Sequence, residues 1–234
     1  MKIWILDRDV NNYASLKFKS GFDLDLVLSF RGETKKDNWT SPKFVRINNL
    51  PFGNTTGLLS YTPFFDDEAV KVLDCFLEGN AELLPLNCPE GNFYVVNVTK
   101  VLDCLNLERS EYKSFSDGRI MRMIKYVFYE GIVRDIDVFK VKGLEGRDVF
   151  VSDKFKNKVE ESQLTGFKFT LVWDSELEEI APVISESIPS IEKIDSQQEK
   201  DMPKSRAFEY VEKLLEKEEK ELKKDIIKNL IIST

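Results

Sequence analysis

The chain has 234 residues, of which 42% are hydrophobic and 32% charged, a composition typical of globular proteins and not of disordered or fibrous ones. Its net charge of -7 argues against a nucleic-acid-binding protein that relies on a strongly basic surface. Histidine is absent, which excludes Ser-His-Asp triads, Cys-His pairs and zinc sites that contain histidine.

Short strands and turns dominate the first third of the chain. Residues 2–6 and 26–30 favour strands, and residues 44–48 alternate between apolar and polar with period two. The intervening glycine, asparagine and proline residues are typical of turns. The run 53–57, Gly-Asn-Thr-Thr-Gly, resembles a phosphate-binding loop but lacks its Gly-Lys-Ser/Thr ending. We therefore interpret it as an ordinary loop.

The clearest helix signal follows Pro63. Three carboxylates, Asp66, Asp67 and Glu68, precede apolar residues at helical spacing, and Gly79 supplies a stop. The sequence therefore predicts a helix over 66–77, with negative charge at its N-terminus, where the helix dipole favours it. The carboxylates could also hold Mg²⁺ or Ca²⁺, but they lack the spacing of a calcium-binding loop. The helix start explains them sufficiently.

The second half of the domain mixes strands with one further helix. Apolar runs predict strands at 83–86, 93–98, 123–129, 136–141 and 148–151. Ser152 is a plausible N-cap for a helix that turns Phe155 and Val159 inward. Residues 167–173 then alternate, which predicts a strand with its aromatic residues and Leu171 on one face. Segment 93–98 has apolar residues at both odd and even positions, so we expect it to be a central strand that is buried on both faces.

Strands and helices mix without a regular βαβ cycle, which favours an α+β fold of short-strand sheets with a few packed helices. We expect one domain over 1–173, and a division into subdomains 1–80 and 81–173 stays open. Residues 174–203 are rich in Glu, Ser, Gln and Pro and indicate a linker. Residues 204–234 predict a long amphipathic C-terminal helix, which could pack against the domain or form a homodimer.

Two groups of residues are candidates for binding a partner protein. Aromatic side chains outside periodic segments can anchor an interface, and these are Trp39, Phe52 and Tyr61. The acidic residues Glu176, Glu178 and Glu179 form a second candidate at the edge of the domain. They also lack the spacing of a calcium-binding loop, so we interpret them as solvated carboxylates.

No motif predicts catalysis, a metal site or a cofactor. Ser110 and Lys113 match Ser-x-x-Lys, but the companion motifs of that acyl-transfer chemistry are missing. The apolar run after Lys2 is too short for an export signal, and no run is long enough to span a membrane. Three cysteines without a CxxC pair fit a reducing compartment. We therefore expect a cytoplasmic protein that binds neither membranes nor nucleic acid.

Several segments match motifs of a known family. These segments are 83–86, 93–98, 101–105, 149–155, 159–160 and 164–169. Together they resemble the bacterial immunity proteins encoded beside polymorphic toxins, a family typified by the myxobacterial immunity domain. The resemblance covers roughly residues 1–173, is strongest in the last ninety of them, and excludes the tail.

The resemblance implies a non-catalytic protein that binds and neutralises one toxin domain in the cytoplasm, without a cofactor. Many such toxins are nucleases with basic substrate-binding faces, which an acidic inhibitor would complement. Two alternatives stay open. The first is a structural or assembly protein that oligomerises through the C-terminal helix, and the second, less favoured, is a carboxylate-based metal-dependent hydrolase.

Overall fold

The computed structural model describes residues 1–20, 23–59 and 61–179, and of Leu24, Glu178 and Glu179 it describes the backbone alone. The predicted C-terminal helix at 204–234 lies outside the described residues. The predicted linker lies outside them from residue 180 onward. Its first residues, Ser175–Glu179, form a short helix directly after the last strand.

Sheets make up most of the described part of the chain. Its strands are β1 Lys2–Arg8, β2 Leu16–Phe18, β3 Phe44–Arg46, β4 Thr55–Gly57, β5 Pro63–Asp66, β6 Ala81–Pro85, β7 Phe93–Val98, β8 Val101–Leu102, β9 Glu111–Ser114, β10 Ile120–Lys125, β11 Val138–Val141, β12 Val149–Ser152 and β13 Phe167–Asp174. Its helices are α1 Leu24–Leu28, α2 Asp67–Leu77, α3 Glu130–Val133, α4 Asp153–Glu161 and α5 Ser175–Glu179, with a 3₁₀ turn at Lys36–Asn38. No helix in the described ranges is long and apolar enough to cross a membrane. The α+β prediction is confirmed for these residues.

The larger sheet joins the beginning of the chain to the end of the domain. Its five strands follow the order β13-β1-β12-β11-β8. Strand β1 runs antiparallel to both neighbours, with Ile5 opposite Phe150 on one side and Thr170 on the other. The pairing of β11 with β8 is parallel. The N-terminal residues thus form an inner strand flanked by two strands from the last third of the domain.

The smaller sheet has four antiparallel strands in the order β4-β5-β7-β6. Strand β7 is inner, and every residue in it except Tyr94 and Asn97 is buried and apolar. The prediction that this strand is central and buried on both faces is therefore confirmed. Its two faces contact different hydrophobic clusters, since Val96 belongs to one cluster and Val95 to another.

Within residues 1–179, as far as the structure describes them, three hydrophobic clusters hold the sheets together. The first joins one face of each sheet to helices α2 and α4 through residues such as Leu6, Leu73 and Phe155. The second covers the other face of the larger sheet with the segment that carries β10 and α3. The third covers the other face of the smaller sheet with α1 and the antiparallel strand pair of β2 and β3. The five-stranded and the four-stranded sheets are therefore each apolar on both faces, which is consistent with an aromatic content of 12%.

Helices α2 and α4 begin where the sequence predicts. The carboxylate of Asp66 accepts a hydrogen bond from the Ala69 amide at 2.8 Å, and the Ser152 hydroxyl accepts one from the Phe155 amide at 3.2 Å. Both bonds satisfy amide groups that have no partner within the first helical turn. Phe155 and Val159 are buried in the first cluster, which confirms the predicted inward face of α4.

The predicted strand at 26–30 is wrong, because residues 24–28 form helix α1. Asp23 caps this helix: its carboxylate accepts a hydrogen bond from the Leu26 amide at 2.9 Å. Val27 is buried while Leu28 is exposed, so one helical face contacts the core. A five-residue apolar run does not by itself distinguish a strand from a buried helical turn, and here the preceding cap decides for the helix.

The predicted single face of β13 is also wrong. Its pairing with β1 skips Val172, so that Trp4 lies opposite Leu171 while Ile3 lies opposite Trp173. This bulge reverses the alternation of side chains. Phe167 and Phe169 consequently pack on the first cluster, Trp173 packs on the second, and Leu171 is exposed. The strand therefore contributes to the cores on both sides of the larger sheet.

One carboxyl group beside the larger sheet weakens the fold at neutral pH. Burial raises the pKa of Asp148 from its ordinary value of 3.8 to about 6, and the nearby carboxylate of Asp7 adds to the shift. Arg147 and a hydrogen bond with Tyr126 oppose the shift without cancelling it. Because the folded protein binds this proton more tightly than the unfolded chain, its stability falls as the pH rises from about 4 to 6.

We expect Asp148→Asn to raise the free energy of unfolding at pH 7, because the amide removes the charge and keeps the shape. The pKa shift corresponds to a gain of up to about 3 kcal/mol, which disappears near pH 4, where Asp148 is protonated in the folded protein. Urea unfolding at several pH values measures the gain. Asp103→Asn, at an exposed ion pair with Lys142, is the control and changes stability little. Equal effects of the two variants at pH 7 would contradict this account of Asp148.

Candidate functional site

An open cleft of about 410 Å³ lies at the N-terminal end of α2. Four segments that are distant in sequence form its walls: the loop before β4, the start of α2, the turn between β6 and β7, and the turn after α4. The residues that line it are Phe52, Gly53, Asn54, Asp66, Asp67, Glu68, Glu90, Gly91, Asn92, Phe93 and Thr165. Its volume is comparable to that of sites that accept small ligands or a few side chains of a partner.

The cleft is strongly acidic. Four of its side chains are carboxylates, those of Asp66, Asp67, Glu68 and Glu90, and all except that of Asp66 are exposed. No lysine or arginine is among the described residues that line it. Like charges at one concave surface add to a negative potential that attracts cations and basic side chains.

Asp66 forms the inner end of the carboxylate group. It is half-buried, and burial raises the pKa of its carboxyl group while hydrogen bonds from Ala69 and Asn54 act in the opposite direction. The negative charges of Glu68 and Asp67 raise the pKa further. Three adjacent carboxylates can share this site because the positive end of the helix dipole faces them.

Asn54 links the start of α2 to the turn after α4. Its side-chain amide nitrogen donates to the carboxylates of Asp66 and Glu68, both at 3.0 Å. Its side-chain oxygen accepts bonds from the amide and hydroxyl groups of Thr165, at 2.8 and 3.1 Å. One asparagine thus fixes two walls of the cleft relative to each other and orients two of its carboxylates.

Asp67 is held from the opposite wall. Its carboxylate accepts a bond from the Asn92 side chain at 2.8 Å and another from the Tyr94 hydroxyl at 3.0 Å. The second bond is the main reason that the pKa of Tyr94 is raised. Asp67 therefore keeps a fixed position at the mouth of the cleft, although it is exposed.

Two phenylalanines give the cleft an apolar side. The rings of Phe52 and Phe93 lie 5.3 Å apart, and the guanidinium of Arg46 packs over Phe52 at 4.4 Å. Aromatic rings beside carboxylates suit the aliphatic stem and charged head of a lysine or arginine from a partner. Phe52, predicted from sequence as a partner-binding residue, thus lies at a surface with suitable chemistry.

Glycine is required where two loops behind the cleft touch. A Cβ atom on Gly53 would lie 2.8 Å from the Cα atom of Gly166, and one on Gly166 would lie 2.8 Å from the Thr55 carbonyl oxygen. Gly166 also has φ +83°, a conformation that side chains disfavour. The ordinary loop that we predicted at 53–57 instead ends in strand β4, which packs against the turn after α4.

The other predicted aromatic residues lie apart from the cleft. Trp39 is half-buried, and its indole nitrogen donates to the Pro85 carbonyl at 2.8 Å. Tyr61 is buried in the third cluster, and the Lys140 ammonium group lies 5.4 Å from its ring centre. Both side chains have structural contacts that account for them, and their role in partner binding stays a prediction.

The predicted acidic group lies on α5, which is not among the elements that form the cleft. Glu176 is exposed, and its amide donates to the Asp174 carboxylate at 3.1 Å. The side chains of Glu178 and Glu179 lie outside the described residues. Partner binding by these three residues stays a prediction.

Sequence patterns did not reveal the cleft as a unit. The carboxylates at 66–68 were explained as a helix start, which is correct but incomplete, and Asn54, Glu90 and Asn92 were not singled out. Asn54 lies in the loop before β4, whereas Glu90 and Asn92 lie in the turn between β6 and β7. The asparagine-rich turns were the available signal, because asparagine side chains readily form hydrogen bonds in turns.

The structure gives no catalytic role to the Ser-x-x-Lys match. The Ser110 hydroxyl accepts a hydrogen bond from the Val127 amide at 3.0 Å and donates one to the Val127 carbonyl oxygen at 3.4 Å. It therefore links its own segment to the backbone of Val127. Across residues 1–20, 23–59 and 61–179, no group of three or more His, Cys, Asp or Glu side chains is placed to hold a metal ion.

The described surface thus has an acidic cleft suited to a basic protein partner. In a comparison with known families, residues 84–174 match the model of the immunity protein family Imm11. The resemblance to an immunity protein family is therefore confirmed over this part of the chain. No curated protein matches the sequence. The matched segment includes Glu90, Asn92, Phe93 and Thr165 of the cleft.

Proposed function

We propose that this protein is an immunity protein that binds and neutralises a cognate toxin domain of a polymorphic toxin system in the bacterial cytoplasm. The observation that carries the proposal is the match of residues 84–174 to an immunity protein family. Neutralisation occurs by stoichiometric protein–protein contact, without catalysis and without a cofactor. The acidic cleft supplies the docking surface.

The chemistry of the cleft supports a basic partner. Its carboxylates are oriented by hydrogen bonds before any partner arrives, so binding does not have to order them. Complementary charge across an interface accelerates association, and an immunity protein must capture its toxin before the toxin acts. Toxins that cleave nucleic acids carry basic substrate-binding faces, and we infer that such a face occupies the cleft.

Co-expression tests the proposal. Bacteria that express the toxin domain encoded beside this gene should survive only when this protein is also expressed, and the two proteins should purify as a stoichiometric complex. Binding by isothermal titration should be tight and should weaken as salt is added. An unrelated toxin domain is the control and should neither bind nor be neutralised. Absence of both rescue and complex at micromolar concentrations would contradict the proposal.

A further inference from the structure

Arg46 occupies a position where the surrounding fold is apolar. It lies opposite Leu16 in the pairing of β2 with β3, two positions from the pair formed by Phe18 and Phe44. Side chains two positions apart on a strand point to the same face, so Arg46 shares the face of Phe44. Leu16, Phe18 and Phe44 are all buried in the third cluster. A cationic side chain therefore ends a row that is otherwise apolar.

The charge of Arg46 is not balanced within the described part of the chain. The side chain is half-buried, and its Nε atom is buried without a hydrogen-bond partner among the described residues. None of the ion pairs between described residues includes it. Its guanidinium packs instead over the ring of Phe52 at 4.4 Å, a contact that offsets the desolvation of a cation only in part. A buried polar group of this kind indicates a missing ligand.

Arg46 lies beside the acidic cleft. Phe52, on which its guanidinium packs, lines the cleft, and the ring of Phe52 also lies 5.3 Å from that of Phe93. One cation is thus located at the aromatic side of a cleft that contains four carboxylates. A partner that fills the cleft and covers Phe52 consequently comes close to Arg46. The docking surface therefore offers charges of both signs.

We propose that Arg46 binds a carboxylate side chain of the toxin domain when that domain occupies the cleft. This inference rests on the proposed function and adds to it the chemistry of the toxin face, which must carry an Asp or Glu beside its basic groups. The planar guanidinium of arginine presents paired donors that match a carboxylate in geometry. A nucleic acid phosphate fits less well, because the four carboxylates of the cleft repel the rest of its backbone.

The proposal predicts opposite effects of one substitution on stability and on binding. In the free protein, Arg46 is desolvated without a partner, whereas in the complex the toxin carboxylate supplies one. Arg46→Met in the full-length protein keeps the packing of the aliphatic stem and removes the charge. We expect this variant to unfold at higher urea concentrations than the parent, yet to bind the toxin domain at least tenfold more weakly in isothermal titration. A purely structural role would not separate the two measurements in this way.

Arg134→Met is the matched control, because it makes the same change in net charge. Arg134 is exposed at the end of α3 and pairs with Glu130 at 3.0 Å, and such exposed pairs contribute little to stability. This variant should bind the toxin domain like the parent. Equal loss of affinity in the two variants, or parental affinity in Arg46→Met, would overturn the proposal and leave protection by the parent as support for the proposed function. A parent that binds no toxin would overturn both.

A scan of the toxin domain tests the same pair without altering this protein. Each Asp of the toxin domain is changed to Asn and each Glu to Gln, and the affinity of every variant is measured for the parent and for Arg46→Met. One toxin variant should bind the parent at least tenfold more weakly but bind Arg46→Met less than about twofold more weakly, because the pair is already broken there. If no toxin variant binds the parent more weakly, the proposal is wrong, even if Arg46→Met fails to fold.

Discussion

Reversal of charge in the cleft should abolish protection against the toxin. In the variant with both Asp67→Lys and Glu90→Lys, two exposed carboxylates of the acidic wall become ammonium groups. A basic toxin face would then meet like charges, which cost several kcal/mol when they are juxtaposed at an interface. We expect at least a hundredfold weaker binding, a slower association rate and a weaker salt dependence, measured by surface plasmon resonance against the adjacent toxin domain.

The control uses the same helix and the same change in charge. Asp74→Lys with Glu78→Lys reverses two exposed carboxylates near the C-terminal end of α2, where positive charge is favourable for the helix. This variant should bind and protect like the parent. Equal binding by the two double variants, with both folded, would show that the toxin docks elsewhere and would leave the immunity function itself untouched.

Removal of one ring from the second hydrophobic cluster should cost a large part of the stability. Phe150 is fully buried on β12, and its ring centre lies 5.5 Å from that of Tyr126, 5.7 Å from that of Phe128 and 5.6 Å from that of Phe139. Phe150→Ala leaves a cavity among aromatic rings, and such changes typically cost about 3–5 kcal/mol. Natural domains are stable by only about 5–15 kcal/mol, so the variant should unfold at much lower urea concentrations.

Phe115→Ala is the matched control for this prediction. Phe115 follows β9 and is 44% exposed, so its truncation should change the free energy of unfolding by less than about 0.5 kcal/mol. Urea unfolding monitored by circular dichroism compares the two variants. A loss below about 1 kcal/mol in Phe150→Ala would mean that this residue does not lie in a packed core.

Local signals in the sequence were sufficient for the two longer helices and for the buried strands. Asp66 and Ser152 act through hydrogen bonds to amides three residues ahead, so their effect depends little on the rest of the fold. Strand β7 was predictable for a similar reason, because apolar residues stand at both its odd and its even positions and require burial on both faces.

Predictions failed where a local pattern fits two structures. The apolar run at 26–30 fits a strand or a buried helical turn, and the Asp23 cap decides between them. The alternation in β13 predicts one apolar face only if pairing is regular. The bulge at Val172 arises from its fit to β1, whose residues are about 170 positions away in the sequence, and no local pattern encodes it.

The cleft was least accessible to sequence reasoning, because four separate segments supply its walls. Asp66, Asp67 and Glu68 were visible as a cluster, yet Glu90 and Asn54 join them only through the pairing of the smaller sheet and the turn after α4. Phe52 lies outside periodic segments, and among the predicted partner-binding residues whose side chains the structure describes, it alone lines the cleft.

The position of β1 also determines when a newly made chain can fold. Its partners on both sides, β12 and β13, are synthesised about 150 to 170 residues later, since Ile3 pairs with Ser152 and Trp173. At about 5–20 residues per second, the ribosome needs roughly ten to thirty-five seconds to pass from the first strand to the last. The larger sheet can therefore close only after translation has passed residue 174, so protection would lag behind the start of synthesis by at least that interval.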